Sequence, residues 1–193
     1  TVPAGATLTI APGTHVLMNG TSAAGDTNGA DLIVNGALSI DGTAAQPVSV
    51  TCADPSARWG QILLGNAQPS QFRHALISRG AHSPGVGHTS RGPVLRLTAS
   101  ALTLEDCALG DSPGKALYSS GACSLTMRRS LMARLVTGPE VGDGCAVLVE
   151  DSNVQECLPH YRESNAPVPD DEDCFYIHNG TAAAVTLRRT VLA

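Results

Sequence analysis

Aromatic residues are scarce in this chain. Phe, Trp and Tyr together make up 3% of the 193 residues, although 42% of the residues are hydrophobic. A core with so few large side chains has to be built from many small and similar layers. The length and the hydrophobic share fit one domain, which we place at residues 1–193 as a complete unit or a fragment.

Lysine is nearly absent, and long apolar runs are missing. The single lysine is Lys115 and the net charge is −5, so the chain offers no basic stripe to a nucleic acid. No apolar run reaches the roughly 18 to 20 residues of a membrane-spanning helix, and no charged-then-apolar leader opens the sequence. Six cysteines without a CxxC pair or a zinc-finger spacing favour an oxidising compartment. We therefore expect a secreted or cell-surface protein without a membrane span.

A short motif repeats along the chain: an apolar residue, two charged residues, a small residue, any residue and a second apolar residue. It occurs at 72–77, 104–109, 127–132, 149–154 and 187–192. The starts are separated by 32, 23, 22 and 38 residues, which predicts a coil of about 22 residues with insertions at about 80–92 and 158–173. Short β-type runs between polar residues predict three parallel strands in each coil of a solenoid.

The charged pairs of this motif alternate in sign. In chain order they are Arg73/His74, Glu105/Asp106, Arg128/Arg129, Glu150/Asp151 and Arg188/Arg189. Stacked coils lie about 4.8 Å apart, so opposite charges would attract while like charges would repel. The alternation predicts a charge ladder that fixes the register of the coils, with coincidence as the alternative interpretation.

The first 80 residues carry a family resemblance. The segments VPAGATLTIAPGT at 2–14, LIVNGALSI at 32–40 and RWGQILL at 58–64 resemble the entry coils of secreted proteins in the right-handed parallel β-helix (pectin-lyase-like) superfamily. The remainder of the chain is similar through its period. The resemblance implies an all-β, right-handed parallel β-helix, an architecture that carries lyases, hydrolases, adhesins and inert stalks alike.

The catalytic signatures of that superfamily are absent. Pectate lyases use clustered Asp ligands for calcium and an Arg or Lys base, and polygalacturonases carry Asn-Thr-Asp, Asp-Asp, Gly-His-Gly and Arg-Ile-Lys. Only Asp170-Asp171 matches any of these. We therefore predict no catalytic residue and a non-catalytic extracellular scaffold, a rod or filament module that displays loops for carbohydrate or protein contacts. The alternative is a polysaccharide-active lyase or hydrolase, or a carbohydrate-binding module, that uses a face near Trp59, His160 and the acidic insertion at 158–173.

The second insertion contains four consecutive acids. Asp170, Asp171 and Asp173 are candidate ligands for Ca²⁺, which prefers oxygen donors, and Asp143 and Glu163 could add to them. A solvated acidic loop is the alternative.

Histidines and tyrosines flank the same insertion. His160 and His178, together with Tyr161 and Tyr176, could line a carbohydrate or metal site. A surface role is the alternative for these residues.

The cysteines predict two covalent links. Cys123 and Cys145 each lie four residues before the motif in adjacent coils, so they are expected side by side at a distance that a disulfide can bridge, although a reduced pair would fit as well. Cys157 and Cys174 bracket the acidic insertion, and a disulfide between them would close its base.

Two further expectations concern glycans and the chain end. Asn19 and Asn179 stand in acceptor sequons, which chance also produces. The sequence stops directly after a repeat strand. An open coil exposes unpaired backbone groups, so we expect further coils of the same chain, or a stacked subunit, to cover that end.

Overall fold

The structure is a computed structural model that describes residues 1–21, 29–142, 144–158, 173–178 and 184–193. Strands are the regular secondary structure of these residues, and none of them lies in a helix. In chain order the strands are β1 (Thr7–Ile10), β2 (His15–Met18), β3 (Leu32–Val34), β4 (Ala37–Asp41), β5 (Val48–Cys52), β6 (Ile62–Gly65), β7 (Ser70–Arg73), β8 (Ala75–Ser78), β9 (Pro93–Thr98), β10 (Ala101–Glu105), β11 (Ala108–Gly110), β12 (Lys115–Ser120), β13 (Ser124–Arg128), β14 (Leu131–Leu135), β15 (Thr137–Gly142), β16 (Ala146–Glu150), β17 (Asn153–Cys157), β18 (Tyr176–His178), β19 (Val185–Arg188) and β20 (Val191–Leu192).

These strands form three sheets, and the chain visits the sheets in strict rotation. Sheet I has the order β1-β4-β7-β10-β13-β16-β19, sheet II has β2-β5-β8-β11-β14-β17-β20, and sheet III has β18-β15-β12-β9-β6-β3. Neighbouring strands within each sheet run parallel. The predicted all-β class is confirmed, and three parallel sheets visited in turn are consistent with a solenoid-like fold.

The repeated motif stacks in sheet I. The apolar residues that open the five repeats pair in register across adjacent strands; they are Phe72, Leu104, Met127, Val149 and Leu187. Side-chain contacts between stacked repeats join residues 32, 23, 22 and 38 positions apart. The two longer steps contain the predicted insertions. Residues 80–92 are described, whereas most of 158–173 lies outside the described residues.

The core lies between the sheets. Side chains in strands such as β4, β5 and β10 alternate between buried and partly exposed, because successive residues of a strand point to opposite faces. Strand β15 is buried along its whole length. Trp59 and Phe72 are the largest apolar side chains of this core, and both are fully buried. The indole Nε1 of Trp59 donates to the carbonyl of Ser78 at 2.7 Å. Trp59 is therefore a core residue. It does not belong to a sugar-binding face, although the enzyme alternative assumed that it did.

Left-handed residues turn the chain at the corner between sheet I and sheet II. They are His74, Asp106, Arg129, Asp151 and Arg189, with φ between 45° and 55°. Each is the second residue of a predicted charged pair. A side chain in this conformation costs backbone energy, which the repeated fold has to offset through its stacking contacts.

Small residues follow these corners and bond to one another. The Cys107 N–H donates to Ser130 Oγ, and the Ser130 N–H donates to Ser152 Oγ, both at 3.0 Å. Each serine hydroxyl in turn donates to the carbonyl two residues earlier, at 2.7 Å. Backbone donors that the turn leaves without a strand are thus satisfied by the next coil.

The last two strands expose apolar side chains. Leu187, Val191 and Leu192 are between 42% and 50% exposed. In the described part of the chain, the structure contains no helix with the length and apolar character of a membrane span.

Candidate functional site

Sheet III carries a row of polar and aromatic side chains on one face. Arg96, Tyr118, Glu140 and Tyr176 occupy equivalent positions in β9, β12, β15 and β18. Their neighbour Leu117 is fully buried in the core, so Tyr118 points away from it. Arg96, Tyr118 and Glu140 were not predicted from the sequence, although they follow one another at the predicted period of 22 residues, which is the signal that could have found them.

A buried ion pair lies within this row. The Lys115 Nζ contacts the carboxylate of Glu140 and donates to the carbonyl of Val86 at 2.6 Å. The side chains of Lys115 and Glu140 are 0% and 2% exposed. A lone buried charge is costly, and the pair neutralises both charges at once. Because Val86 belongs to residues 80–92, the ion pair also fastens that segment to sheet III.

Gly87 lets the backbone of residues 80–92 lie directly against the ion pair. Its φ is +63°, and a Cβ at this position would stand 2.2 Å from Oε1 of Glu140. Only glycine tolerates both the conformation and the close approach. The amine and the carboxylate are consequently sealed from solvent.

Aromatic and imidazole rings surround the sealed pair. The His178 ring stacks on Tyr118 with centroids 5.5 Å apart, and His88 meets Tyr176 edge-on at 4.5 Å. The Arg96 guanidinium lies 5.9 Å from the Tyr118 ring centroid. Tyr118 and Tyr176 are half-buried, the His178 side chain is 10% exposed, and His88 is exposed. We call His88, Tyr118, Tyr176 and His178 the ring cluster.

The ring cluster is suited to binding a ligand, but His178 is too far from Glu140 for direct proton transfer between them. His178 Nε2 lies 3.9 Å from Oε1 of Glu140, beyond hydrogen-bond distance. The tyrosine and imidazole groups combine apolar ring surface with polar edges, which suits a ligand that offers both C–H faces and hydroxyl groups.

No protein-family model matches the chain, and no curated protein or solved structure is significantly similar to it.

The predicted charge ladder lies on the outside of sheet I. Glu105 pairs in register with Arg73 on one side and Arg128 on the other. Its carboxylate is 3.4 Å from Arg73 Nε and 3.9 Å from Arg128 Nη1. Arg128 Nε then contacts Glu150 at 3.3 Å, and Glu150 pairs in register with Arg188. The structure thus places opposite charges next to each other along the stack.

The second residues of the pairs form a parallel line of contacts. Arg129 binds Asp106 through two hydrogen bonds of 2.9 Å, and Arg189 contacts both Asp151 and, at 2.9 Å, Glu150. The hydrogen bond from Arg129 lowers the pKa of Asp106, and that from Arg189 lowers the pKa of Asp151.

A second alternating line occupies the corner after sheet II. Arg79, Asp111, Arg134 and Glu156 are all left-handed, with φ between 53° and 64°. Arg134 Nη2 donates to Asp111 Oδ2 at 2.8 Å. This line was not predicted from the sequence; its members lie five residues after His74, Asp106, Arg129 and Asp151.

The six cysteines are free thiols in the structure, so neither predicted disulfide is formed there. The predicted neighbours are nevertheless adjacent: Cys123 hydrogen-bonds with Cys145, and Cys157 with Cys174. The bond from Cys145 lowers the pKa of Cys123 to about 6, and the same contact raises that of Cys145.

The predicted calcium ligands are mostly beyond the described residues. Asp170 and Asp171 lie outside them, as do Asp143 and Glu163. Asp173 is described, and its carbonyl accepts from the Gly138 N–H at 2.8 Å. The part of the chain that the structure describes contains no group of three or more His, Cys, Asp or Glu residues suited to a metal ion.

The remaining candidates are divided in the same way. His160, Tyr161 and Asn179 lie outside the described residues, whereas Asn19 is exposed at the surface. His178 and Tyr176 belong to the ring cluster, where their neighbours are Tyr118 and His88.

Proposed function

We propose that this protein is a right-handed parallel β-helix of the pectin-lyase-like type, with coils of about 22 residues, that acts as a non-catalytic extracellular scaffold. In this proposal the outer face of sheet III, with the ring cluster and Arg96, is its carbohydrate-contact surface. The sheet order and the stacking of the repeats support the architecture. The arrangement of sheet III supports the role.

The sealed ion pair is the observation that carries the non-catalytic role. The amine of Lys115 and the carboxylate of Glu140 are the groups on this face best suited to general base and acid chemistry. Both groups lie beneath residues 80–92, where the Lys115 amine binds the Glu140 carboxylate and the Val86 carbonyl. A substrate would have to displace that segment before it reached either group.

The accessible groups around the pair favour a sugar ligand. Tyr118 and Tyr176 offer ring surface and polar edges, and Arg96 adds a positive charge beside Tyr118. Such a mixture recognises the hydroxyl groups and apolar faces of a sugar ring, and the arginine would favour an acidic sugar.

Binding to oligosaccharides tests this proposal. The wild-type protein is titrated by calorimetry with neutral and uronic-acid oligosaccharides. Tyr118→Ala is expected to weaken binding at least about tenfold, since contact aromatic residues often dominate binding energy. Thr126→Ala, on the outer face of sheet I, is the control and should bind as the wild type does. Absence of binding to the whole panel would reject the carbohydrate role.

A polysaccharide-active enzyme is the second candidate, because Lys115, Glu140, Tyr118 and His178 converge on one face. Chain cleavage by the wild-type protein, abolished by Lys115→Met in a folded variant, would establish it over the scaffold. If the oligosaccharides that bind are not cleaved, that result would support the scaffold.

Assembly at the chain end belongs to the same proposal. The exposed Leu187, Val191 and Leu192 offer apolar surface on which a further coil or a stacked subunit could pack. Analytical ultracentrifugation at increasing concentration tests whether copies of this chain associate there, with Val191→Asp as the variant expected to prevent it.

A further inference from the structure

The amine of Lys115 and the carboxyl group of Glu140 are placed as the two partners of an amide bond would be. Lys115 is the single lysine of the chain, and its Nζ contacts Oε2 of Glu140. Glu140 pairs in register with Tyr118, three positions beyond Lys115, so the lysine side chain reaches along the sheet to the neighbouring strand. The two residues are 25 positions apart in sequence, and a covalent bond between them would join β12 to β15.

Water is excluded from both groups. Their side chains are 0% and 2% exposed, and residues 80–92 cover them. Gly87 in that segment lies so close that a Cβ there would stand 2.6 Å from the carboxyl carbon of Glu140. Because amide formation releases water and hydrolysis consumes it, a site without water favours the amide and protects it once it has formed.

Burial also favours the reactive forms of the two groups. An ammonium ion and a carboxylate do not condense, whereas a neutral amine attacks a carboxylic acid. A buried site disfavours charge, so the transfer of one proton from the amine to the carboxylate costs less there than in water.

The fold supplies the orientation that such a reaction needs. The carbonyl of Val86 accepts a hydrogen bond from Lys115 Nζ at 2.6 Å and so holds the nitrogen in place beside Glu140. Two groups held in contact react as one molecule, which removes the entropy cost of bringing them together. The bond has to form only once in each chain, so a slow reaction is sufficient.

We propose that Lys115 and Glu140 form an intramolecular isopeptide bond, for which the ion pair is the precursor. One proton first passes from the ammonium group to the carboxylate, and the nitrogen lone pair then attacks Cδ of Glu140. A second proton passes from the nitrogen to the departing hydroxyl group, the C–O bond breaks, and one water molecule leaves. The amide keeps one N–H, which the carbonyl of Val86 accepts. This modification is independent of the proposed carbohydrate surface.

Mass spectrometry of the intact, fully reduced wild-type protein tests the proposal. We expect a mass that is one water molecule below the sequence mass. Trypsin should fail to cleave after Lys115 and should release residues 97–128 joined to residues 135–162. Fragmentation of the joined peptides should place the link between Lys115 and Glu140. The chain has no other lysine that could form such a bond.

Variants of the two partners separate this bond from other losses of water. Lys115→Arg and Glu140→Ala should each keep the full sequence mass. Glu140→Gln should lose ammonia instead of water, because a nitrogen then takes the place of the leaving oxygen. Glu105→Ala removes an acid on the outer face of sheet I; it is the matched control and should lose one water molecule as the wild type does.

A folded wild-type protein with the full sequence mass would overturn the proposal. So would a loss of water that persists in Lys115→Arg, since it would then arise elsewhere, for example from a cyclic imide at Asp41-Gly42. If the variants of Lys115 and Glu140 fail to fold, the joined peptides of the wild type decide: their presence supports the bond, and complete cleavage after Lys115 rejects it.

Discussion

Lys115 forms an ion pair with Glu140 beneath residues 80–92, where the two side chains are 0% and 2% exposed. Lys115 opens β12 and Glu140 lies in β15, so the pair joins neighbouring strands of sheet III. Through Val86 it joins residues 80–92 to the same sheet, at 2.6 Å. One side-chain contact therefore supports both the sheet and the segment that covers it.

Lys115→Met should destabilise the protein strongly. The substitution leaves the Glu140 carboxylate buried without a counter-charge, which costs about 3–5 kcal/mol in comparable sites. Urea unfolding followed by circular dichroism measures the loss. Residues 80–92 should also become more sensitive to limited proteolysis, because their anchor at Val86 is removed.

The double variant Lys115→Met/Glu140→Leu is the matched control. Removing both charges leaves no unpaired ion, so it should be closer to the wild type than either single variant. A loss of less than about 0.5 kcal/mol for Lys115→Met, the size of an ordinary surface effect, would contradict the structural role of the pair.

Charge reversal tests the ladder on sheet I. Glu105→Arg would place three positive side chains in adjacent strands, with Arg73 and Arg128 as neighbours. We expect a loss of about 0.5–2 kcal/mol that shrinks in 1 M salt, because these side chains are partly exposed and screened. Thr103→Arg is the control, because Thr103 lies in the same strand as Glu105 but pairs with the uncharged Gln71 and Thr126 of the neighbouring strands. Equal losses for the two variants would reject the ladder as a determinant of register.

Acid should weaken the corner contacts. The hydrogen bonds from Arg129, Arg134 and Arg189 hold the pKa of their carboxyl partners below the ordinary value of 3.8. A depressed pKa in the folded state contributes stability that is complete above the unfolded pKa and is lost as the pH falls through the folded one. We expect Asp106→Asn to reduce the slope of unfolding free energy against pH below about pH 4. An unchanged slope in this variant would contradict the contribution of Asp106.

Much of the fold could be predicted because a solenoid repeats its constraints. The charges at Glu105 and Arg128 and the apolar residues at their sides recur at each coil, so one period yields both register and class. The buried pair of Lys115 and Glu140 was missed because Lys115 is the single lysine of the chain, and the residues stacked on Glu140, Tyr118 and Tyr176, do not share its charge. Arg79 and Asp111 belong to a stacked line of charged residues, but that line lies outside the repeated motif. No residue type in the motif indicates the left-handed turn at that corner.

Calcium binding stays a prediction for Asp170, Asp171 and Asp173. If these carboxylates hold Ca²⁺ in the folded state alone, excess chelator should lower the melting temperature and added calcium should restore it. Asp173→Asn should reduce that difference, and Asp54→Asn, at an exposed acid elsewhere, should leave it unchanged. A melting temperature that chelator does not alter would reject the site.

Oxidation should join Cys123 to Cys145. Their thiols are hydrogen-bonded. A disulfide that closes the segment between Cys123 and Cys145 would stabilise the fold by about 3 kcal/mol in the chain-entropy model. Because the pKa of Cys123 is lowered to about 6, the thiolate forms as the pH rises through 6. The rate of oxidation by oxidised dithiothreitol should therefore level off above that pH, whereas the rate for an ordinary thiol rises to about 8.5. Non-reducing peptide mapping identifies the bond, with Cys107→Ser as the control and Cys123→Ser as the variant that cannot form it. Joining of Cys123 to any other cysteine would contradict the pairing.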